Sequence, residues 1–247
     1  PRTKPARLLD LKLERSVLKS ADSVPVISPS MVRLQKKIYD RRYTVITNGF
    51  DHQDFQTAPG SAADTNDVFT IRHVGSIGES SVPAGLFRAL AELPSEPGWR
   101  LEFIGNVHAG VHALIERYGL ESRVAVEPYR PHAEAIAAMQ SADLLLLVIP
   151  DTDQNELILT GKLFEYIGSG RPVMLIGPRA GDACNILHQL NNPWCFEHDE
   201  TARQKEFLAG IIGDPGAISP PVELDDLKHH PYSRYRLTEK LAELVKT

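Results

Sequence analysis

A run of six consecutive apolar residues at positions 144–149, Leu-Leu-Leu-Leu-Val-Ile, constrains the fold of this chain more than any other feature. A strand with one face in water alternates apolar and polar residues, and this run has no such alternation. Uninterrupted apolar strands are typical of parallel sheets that helices cover on both faces. The run therefore predicts a central strand of an α/β protein.

Strand and helix patterns alternate around this run. Further strands are predicted at residues 69–74, 100–104, 123–126 and 173–176, and helices at residues 84–93, 107–118, 132–139 and 161–167. This order predicts a Rossmann-like, doubly wound parallel sheet. Ligands of such sheets bind beyond the carboxyl ends of the strands, where the polar motifs of this sequence lie.

One of the predicted helices combines two charges with a glycine at its start. Gly161 begins this helix, and Lys162 and Glu165 lie on one side of it at i and i+3. The free N–H groups and the positive dipole end of the first turn would stabilise a phosphate, and Lys162 would add a full charge. Glu165 is a carboxylate within reach of a pair of ribose hydroxyls. The pattern predicts a nucleotide-sugar site.

The segment 162–173, Lys-Leu-Phe-Glu-Tyr-Ile-Gly-Ser-Gly-Arg-Pro-Val, resembles the signature of the GT-B glycosyltransferases, especially their large retaining family 4. Four other segments resemble parts of the same family in the same order. They are residues 45–51 (the junction of its two domains), 73–77 (the first strand and glycine loop of its donor domain), 142–147 (its central strand) and 232–235 (its last helix). The resemblance implies the C-terminal donor-binding domain of an enzyme of glycan or polysaccharide synthesis.

The implied reaction transfers a glycosyl group, with retention, from a nucleoside-diphosphate sugar to a hydroxyl of a lipid-linked, polysaccharide or small acceptor. The resemblance also implies a domain organisation. Residues 1–56 resemble only the tail of an acceptor domain and the junction, so most of that N-terminal domain is expected to be absent. Residues 57–66, rich in Ala, Gly, Ser, Asp and Pro, are predicted to be a linker. Residues 67–230 would bind the nucleotide-sugar, and residues 231–247 would form a helix that crosses back to the first domain.

The resemblance implies catalytic roles for Lys162, which would stabilise the diphosphate, and for Glu165, which would bind the ribose. The first helical turn would contribute the donor-binding residues Thr160, Gly161 and Leu163. No metal is required by these motifs, and no cofactor is expected besides the donor substrate.

The glycine loop Gly75-Ser76-Ile77-Gly78, together with Ser81, would bring backbone N–H groups to the diphosphate. A tight strand-to-helix turn explains the same residues without a ligand. Many family members have Arg at the position of Ser76 and Lys near Ser81. Two cations that would assist the departure of the leaving group are therefore serines here, which weakens the implied mechanism.

Two other loops contribute candidate residues. Tyr129 and Arg130 follow the third strand, where the resemblance places the nucleotide base, and either side chain could stack on the ring. Local packing of Tyr129 explains this loop equally well. Glu156 lies one position from the first of the paired glutamates of many retaining members, which makes it a candidate for contact with the sugar. A solvated acidic loop at residues 151–156 is the simpler interpretation.

Composition excludes some functions. The chain has 27 Lys and Arg against 32 Asp and Glu and no basic run, so it has no electrostatic footprint for nucleic acid. No apolar run approaches the roughly 20 residues that span a bilayer. We expect a cytoplasmic protein, with any peripheral contact to the inner face of the membrane made by the missing domain. Cys184 and Cys195 lack a metal-ligand spacing with histidine, which favours buried, reduced thiols.

Two other functions remain alternatives at this point. A nucleotide-sugar epimerase also uses two facing domains of this kind, but the acidic and histidine residues expected in its cleft are not found. A non-catalytic nucleotide- or partner-binding module is consistent with serine at positions 76 and 81. A dinucleotide oxidoreductase is disfavoured because the first loop lacks a Gly-x-Gly-x-x-Gly fingerprint.

Overall fold

A computed structural model of the protein describes residues 3–55, 68–217 and 224–246. The predicted linker at residues 57–66 lies outside these residues. Within them, a small sheet has two strands and a large sheet has six. The strands are β1 (Pro25–Val26), β2 (Thr44–Val45), β3 (Phe69–Val74), β4 (Trp99–Ile104), β5 (Val124–Glu127), β6 (Leu144–Val148), β7 (Val173–Ile176) and β8 (Cys195–Phe196).

Nine helices are present in the part of the chain that the structure describes. They are α1 (Lys4–Ser20), α2 (Pro29–Ile38), α3 (Ala84–Ala91), α4 (Ala109–Tyr118), α5 (His132–Gln140), α6 (Gly161–Gly168), α7 (Asp182–Gln189), α8 (Thr201–Gly213) and α9 (Arg234–Lys246). The predicted alternation of strands and helices from residue 69 to residue 176 is confirmed. Helix α4 begins two residues later than predicted because His108 caps it, its Nδ1 accepting a hydrogen bond from Gly110 N–H at 3.1 Å.

The large sheet has the strand order β5-β4-β3-β6-β7-β8, and all neighbouring strands are parallel. The chain first builds outward from β3 to β5, then returns to pair β6 with β3 and builds outward on the other side. This is the doubly wound Rossmann order, in which ligands bind in the crevice where the strand order reverses. The crevice therefore lies beyond the carboxyl ends of β3 and β6.

Two apolar cores cover the faces of this sheet, and β6 contributes to both. The side chains of Leu144, Leu146 and Val148 pack in the core beneath α3, α4 and α8. Leu145 and Leu147 pack on the other face, beneath α5, α6 and α7. All five residues of β6 are buried, as the uninterrupted apolar run predicts for a strand covered on both faces.

Strand β3 carries a buried ion pair. Arg72 Nε lies 2.5 Å from the Glu102 carboxylate on β4, and Arg72 Nη1 donates to the Ala138 carbonyl oxygen at 3.0 Å. Arg100 Nε lies 3.0 Å from the other oxygen of Glu102. A buried charge without a partner would destabilise the sheet. These contacts offset the cost of burying Arg72 and Glu102.

The N-terminal residues form a small unit of their own. Helices α1 and α2 pack with β1 and β2 around a separate apolar cluster of Leu18, Val26 and Tyr43. Hydrogen bonds from Ser30 connect this unit to a helix that covers the large sheet, because the Ser30 N–H and Oγ donate to the buried carboxylate of Asp182 at 3.2 and 2.9 Å. Asp182 is the first residue of α7.

Helix α1 exposes most of its large apolar residues. Leu8, Leu13 and Val17 expose 63%, 57% and 64% of their surface. The described residues contain no helix that is both long and apolar enough to cross a membrane.

The closing helix begins later than predicted, at Arg234 rather than near Tyr232. Ser233 caps it, since Ser233 Oγ accepts a hydrogen bond from Arg236 N–H at 3.2 Å. The residues before it pair with the segment near Phe50: Phe50 N–H donates to the Tyr232 carbonyl at 3.1 Å, and Arg234 N–H donates to the Phe50 carbonyl at 2.8 Å. The end of the chain is thus fixed against the segment that precedes the large sheet.

Candidate functional site

The loop that follows β3 is shaped by Gly75. This residue has φ +123°, a conformation that disfavours any side chain, and a Cβ at this position would lie 2.7 Å from Lys162 Cε. The next residue, Ser76, is exposed. Ile77 is buried and bonds to the loop after β4, its N–H donating to the Asn106 carbonyl at 2.9 Å. The two loops support each other at the carboxyl end of the sheet.

Lys162 extends from the first turn of α6 across Gly75. Its Nζ donates to the Ser76 carbonyl oxygen at 2.9 Å and lies 3.1 Å from His73 Nε2. Burial lowers the pKa of Lys162 to about 8, and the negative charge of Glu165 acts in the opposite direction. At neutral pH the ammonium is therefore still mostly charged, and it is partly desolvated at the point where the strand order reverses.

His73 contacts Lys162, and the sequence motifs assign it no role. It is completely buried, and burial together with the Lys162 charge lowers the pKa of His73 to about 3. The ring is therefore neutral. The hydrogen-bond network assigns the proton to Nδ1, which donates to the Leu146 carbonyl at 2.9 Å, so that Nε2 accepts from Lys162. The sequence signal for this role is a histidine inside a predicted strand, two residues before the first glycine of the loop.

The start of α6 has backbone donors without a side-chain acceptor. Thr160 is the N-cap residue, but its hydroxyl makes no capping hydrogen bond, and Thr160 Oγ1 is buried without a partner in the described part of the chain. An N-cap hydroxyl ordinarily accepts an N–H of the first turn. Gly161 is exposed and has open space around it. This helix end is therefore suited to an anion.

Tyr166 holds α6 against the end of β3. Its side chain is fully buried, and its hydroxyl oxygen accepts a hydrogen bond from Val74 N–H at 2.8 Å. Burial raises the pKa of the Tyr166 hydroxyl, so it stays protonated. Glu165, on the neighbouring position, is half-buried and close enough to Lys162 to affect its pKa.

Some predicted donor-binding side chains do not face the crevice. The Leu163 side chain is completely buried in the core beneath α6, and its N–H donates to the Thr160 carbonyl. Ser81 is buried as well, at the end of a short turn (Glu79–Ser81). Gly78 has an ordinary φ of −84° and open space around it. Any contact of Leu163 with a donor would therefore come from its backbone, and this contact stays a prediction.

The loop after β5 lies toward one edge of the sheet. Tyr129 exposes 75% of its surface, so it does not pack locally. Arg130 instead forms an ion pair with the carboxylate of Glu127, at the end of β5. Since β5 is two strands from β3, this loop begins roughly 10 Å from the glycine loop.

Glu156 lies in a short turn (Asn155–Leu157) after β6. A small cleft of about 130 Å³ separates this turn from α2, with Arg33 and Lys37 on the opposite wall. Glu156 thus faces basic residues of the N-terminal unit. The loop that carries it also contacts the first loop, because Asp151 N–H donates to the Ser80 carbonyl at 2.7 Å.

Gly75→Ala tests the packing of Lys162 on the glycine loop. We expect the fold to lose about 1–3 kcal/mol from the unfavourable φ, and the affinity for a nucleoside diphosphate to fall because the new methyl group displaces Lys162. Chemical denaturation and isothermal titration calorimetry measure the two effects. Gly78→Ala is the control for stability, and its unfolding free energy should stay within about 0.5 kcal/mol of the wild-type value. A fully stable Gly75→Ala variant would contradict the argument.

The two cysteines are free and buried, as predicted, but the expectation that they lack a histidine at ligand spacing is wrong. Cys184 and His188 are i and i+4 on α7, and β8 places Cys195 beside them. The three ligand atoms lie within 4.8 Å of one another. The tertiary pairing of β8 with β7 brings Cys195 into the cluster, and the sequence spacing does not reveal it.

No family model matches the chain, and a comparison with curated proteins finds no match. Solved structures do match. HepE of Anabaena, in complex with UDP and glucose, superposes with a TM-score of 0.75 at 19% identity over 96% of this chain and 67% of HepE. Sucrose-phosphate synthase of Thermosynechococcus elongatus gives 0.70 at 17% identity over 100% of this chain and 63% of the synthase.

A third structure matches a smaller part of the chain. The C-terminal domain of LpcC, a glycosyl transferase group 1 family protein of Francisella tularensis, gives a TM-score of 0.58 at 16% identity. The match covers 75% of this chain and all of that domain. These similarities show that the chain has the fold of the GT-B glycosyltransferases, as the sequence resemblance predicted. The chain spans about two thirds of HepE and slightly less of the synthase.

Proposed function

We propose that this chain is the donor-binding part of a glycosyltransferase and that it binds a nucleoside-diphosphate sugar beyond the carboxyl ends of β3 and β6. One observation carries the proposal. Lys162, anchored by His73 and the Ser76 carbonyl, holds its ammonium beside the uncapped N-terminus of α6 in the crevice of a Rossmann sheet. The likeness to HepE, which was crystallised with UDP-glucose, supports a donor of this class.

The positive groups at this site, Lys162 and the N-terminus of α6, suit the negative charge of a diphosphate. The glycosyl bond breaks as negative charge develops on the departing phosphate, and Lys162 and the N–H groups of α6 are positioned to stabilise that charge. One preorganised donor of this kind is worth about 100- to 1000-fold in rate. Serine at positions 76 and 81 supplies no charge, so we assign the main cationic role in this chain to Lys162.

The remaining roles follow from position. Glu165, one turn into α6, accepts hydrogen bonds from the ribose hydroxyls, and the exposed ring of Tyr129 stacks on the base. The transferred sugar lies toward the Glu156 turn, and a glycan, lipid-linked or small hydroxyl acceptor approaches from the side of the N-terminal unit. The reaction retains the anomeric configuration. The leaving phosphate takes the proton of the acceptor, so the chain needs no separate base.

Thermal-shift assays with UDP, GDP, ADP, dTDP and NAD test the binding proposal on the chain as it is. A ligand at 100 times its dissociation constant stabilises by about 2.7 kcal/mol, which is several degrees for a protein of this size. We expect one diphosphate to raise the melting temperature, and Lys162→Ala and Glu165→Ala to remove that rise. The absence of a shift with any diphosphate would overturn the proposed donor site.

A binding module without turnover is the second candidate, and serine at positions 76 and 81 favours it. An activity assay distinguishes the two functions once the thermal-shift assays have identified the nucleotide. With the matching nucleotide-sugar and a panel of hydroxyl acceptors, the transferase proposal predicts release of the diphosphate that depends on Lys162. Tight binding without any glycosyl transfer or donor hydrolysis, also with an acceptor domain supplied, would favour the module.

The pKa of Lys162 predicts how binding depends on pH. Burial holds this pKa at about 8, below the usual 10.5, so the free site has lost about half of its charge at pH 8. A bound diphosphate favours the charged form, and the affinity should therefore be constant below about pH 7 and fall by up to tenfold per pH unit above pH 8. Calorimetry in buffers of different ionisation enthalpy should detect proton uptake on binding near pH 8. Lys162→Met should show none.

The unliganded fold should show the opposite trend. The folded chain releases the Lys162 proton at lower pH than the unfolded chain, so the unfolded state binds more protons between about pH 8 and 10.5. The contribution of this group to stability therefore rises with pH in that window. The difference in unfolding free energy between the wild type and Lys162→Met, measured as a function of pH, gives the contribution of Lys162 alone.

A further inference from the structure

A cluster of metal-binding side chains lies outside the proposed donor site. Cys184 is in the first turn of α7, His188 is one turn further on, and Cys195 is the first residue of β8 at the edge of the sheet. Cys184 Sγ and His188 Nε2 are 3.7 Å apart, and the three ligand atoms are all within 4.8 Å of one another. Among the described residues, this is the one group of three such side chains that meets this criterion.

These distances suit a tetrahedral ion. Zinc binds thiolate sulfur at about 2.3 Å and imidazole nitrogen at about 2.0–2.1 Å, so adjacent ligand atoms on a tetrahedron are about 3.6 Å (sulfur to nitrogen) and about 3.8 Å (sulfur to sulfur) apart. The observed sulfur–nitrogen distance agrees with the first value. An ion therefore requires little movement of Cys184 and His188.

The environment of the cluster also favours metal. Both cysteines are buried, and the pairing of Leu175 with Cys195 fixes β8 against β7. Helix α7 fixes the spacing between Cys184 and His188. Two thiolates neutralise a divalent ion, which removes the cost of placing its charge beside an apolar core. His188 is exposed, which gives the ion a route from solvent.

We propose that Cys184, His188 and Cys195 form a site for a thiophilic metal ion, Zn²⁺ in the first place, with a fourth ligand from solvent. The ion connects α7 to β8. Helix α7 also holds the N-terminal unit through Asp182, so the metal stiffens the element that joins the two parts of the chain. Two sulfur ligands and one imidazole exclude ions that prefer oxygen, such as Mg²⁺ and Ca²⁺.

Cobalt is the spectroscopic probe for this site. We expect anaerobic addition of Co²⁺ to the reduced protein to produce thiolate-to-cobalt charge-transfer absorption and the intense visible bands of a tetrahedral ion, with one equivalent bound. Zn²⁺ should displace the cobalt and abolish these bands. Under the same conditions, Zn²⁺ at 100 times its dissociation constant should raise the melting temperature by about 5 °C or more, and a chelator should reverse the rise.

Single substitutions assign the ligands. Cys184→Ser and Cys195→Ser should each weaken the charge-transfer band, and His188→Gln should lower the zinc affinity by at least tenfold. His112→Gln is the matched control, because His112 is an exposed histidine on α4, on the other face of the sheet. Each variant is first compared with the wild type by melting temperature in chelator, which separates loss of the metal from loss of the fold.

Three results would overturn the proposal. The first is cobalt binding without thiolate charge transfer. The second is zinc affinity that none of the three substitutions changes. The third is rapid formation of a disulfide between Cys184 and Cys195 that zinc does not slow, which would identify the cluster as a redox pair. A thiol count under denaturing conditions before and after exposure to air distinguishes the third result from the others.

Discussion

Lys162→Met should weaken the binding of a nucleoside diphosphate by about 10- to 150-fold, since a hydrogen bond to a charged group contributes about 1.5–3 kcal/mol. The same substitution should lower the rate of glycosyl transfer by about 100- to 1000-fold, because the departing phosphate loses a preorganised cation. The fold should not suffer, because burial already disfavours the charged form of Lys162 and methionine removes that cost. Calorimetry, initial rates and melting temperatures measure the three effects.

Lys205→Met is the matched control for this prediction. Lys205 lies on α8, on the other face of the sheet, and pairs with the exposed Glu92 at 2.8 Å. Its removal should leave nucleotide affinity unchanged and alter stability by less than about 1 kcal/mol. Wild-type affinity in Lys162→Met would show that the diphosphate does not bind at α6.

Glu102→Ala should destabilise the protein by about 3–5 kcal/mol, the usual cost of breaking a buried ion pair by removing one partner. The substitution leaves Arg72 buried on β3 with hydrogen bonds to Ala138 and Ser141 but without a counterion. Arg100 loses its 3.0 Å contact with the same carboxylate. Urea unfolding monitored by circular dichroism measures the change.

The double variant Arg72→Met with Glu102→Leu separates the effect of the two charges on stability from the effect of side-chain packing. Replacing both charges by apolar side chains of similar size is often neutral or stabilising, so this variant should recover most of the stability lost in Glu102→Ala. If Glu102→Ala costs less than about 1 kcal/mol, the pair is reached by water and its burial is less complete than the structure indicates.

The large sheet could be predicted from the sequence because the apolar pattern of its strands matches their burial between two layers of helices. Strands 69–74 and 173–176 have the predicted ends, since Gly75 follows the first strand and Pro172 and Gly177 bound the apolar run of the second. Arg72 and Glu102 were not predicted as a buried pair, because their pairing depends on the register between two parallel strands.

The candidate site could be predicted in part, because some of its residues belong to short motifs that are visible in the sequence. Lys162 and Gly75 belong to local motifs, and the structure brings them into contact. Their roles toward a donor stay predictions. His73 was missed because its partner Lys162 is 89 residues away in the sequence. The cluster of Cys184, His188 and Cys195 was missed because β8, the strand that places Cys195 there, has only two residues and no recognisable strand pattern.

The reversal of strand order between β3 and β6 has a consequence for how the protein folds. His73 Nδ1 contacts the Leu146 carbonyl, 73 residues away, and Nε2 contacts Lys162, 89 residues away, so the groups of the proposed donor site are remote in the chain. Contacts of such high contact order form slowly and late. Neither the β3–β5 half nor the β6–β8 half can assemble the site alone. Occupancy of this crevice therefore requires β3 to be paired with β6, and a ligand there stabilises molecules in which the two halves of the sheet are joined.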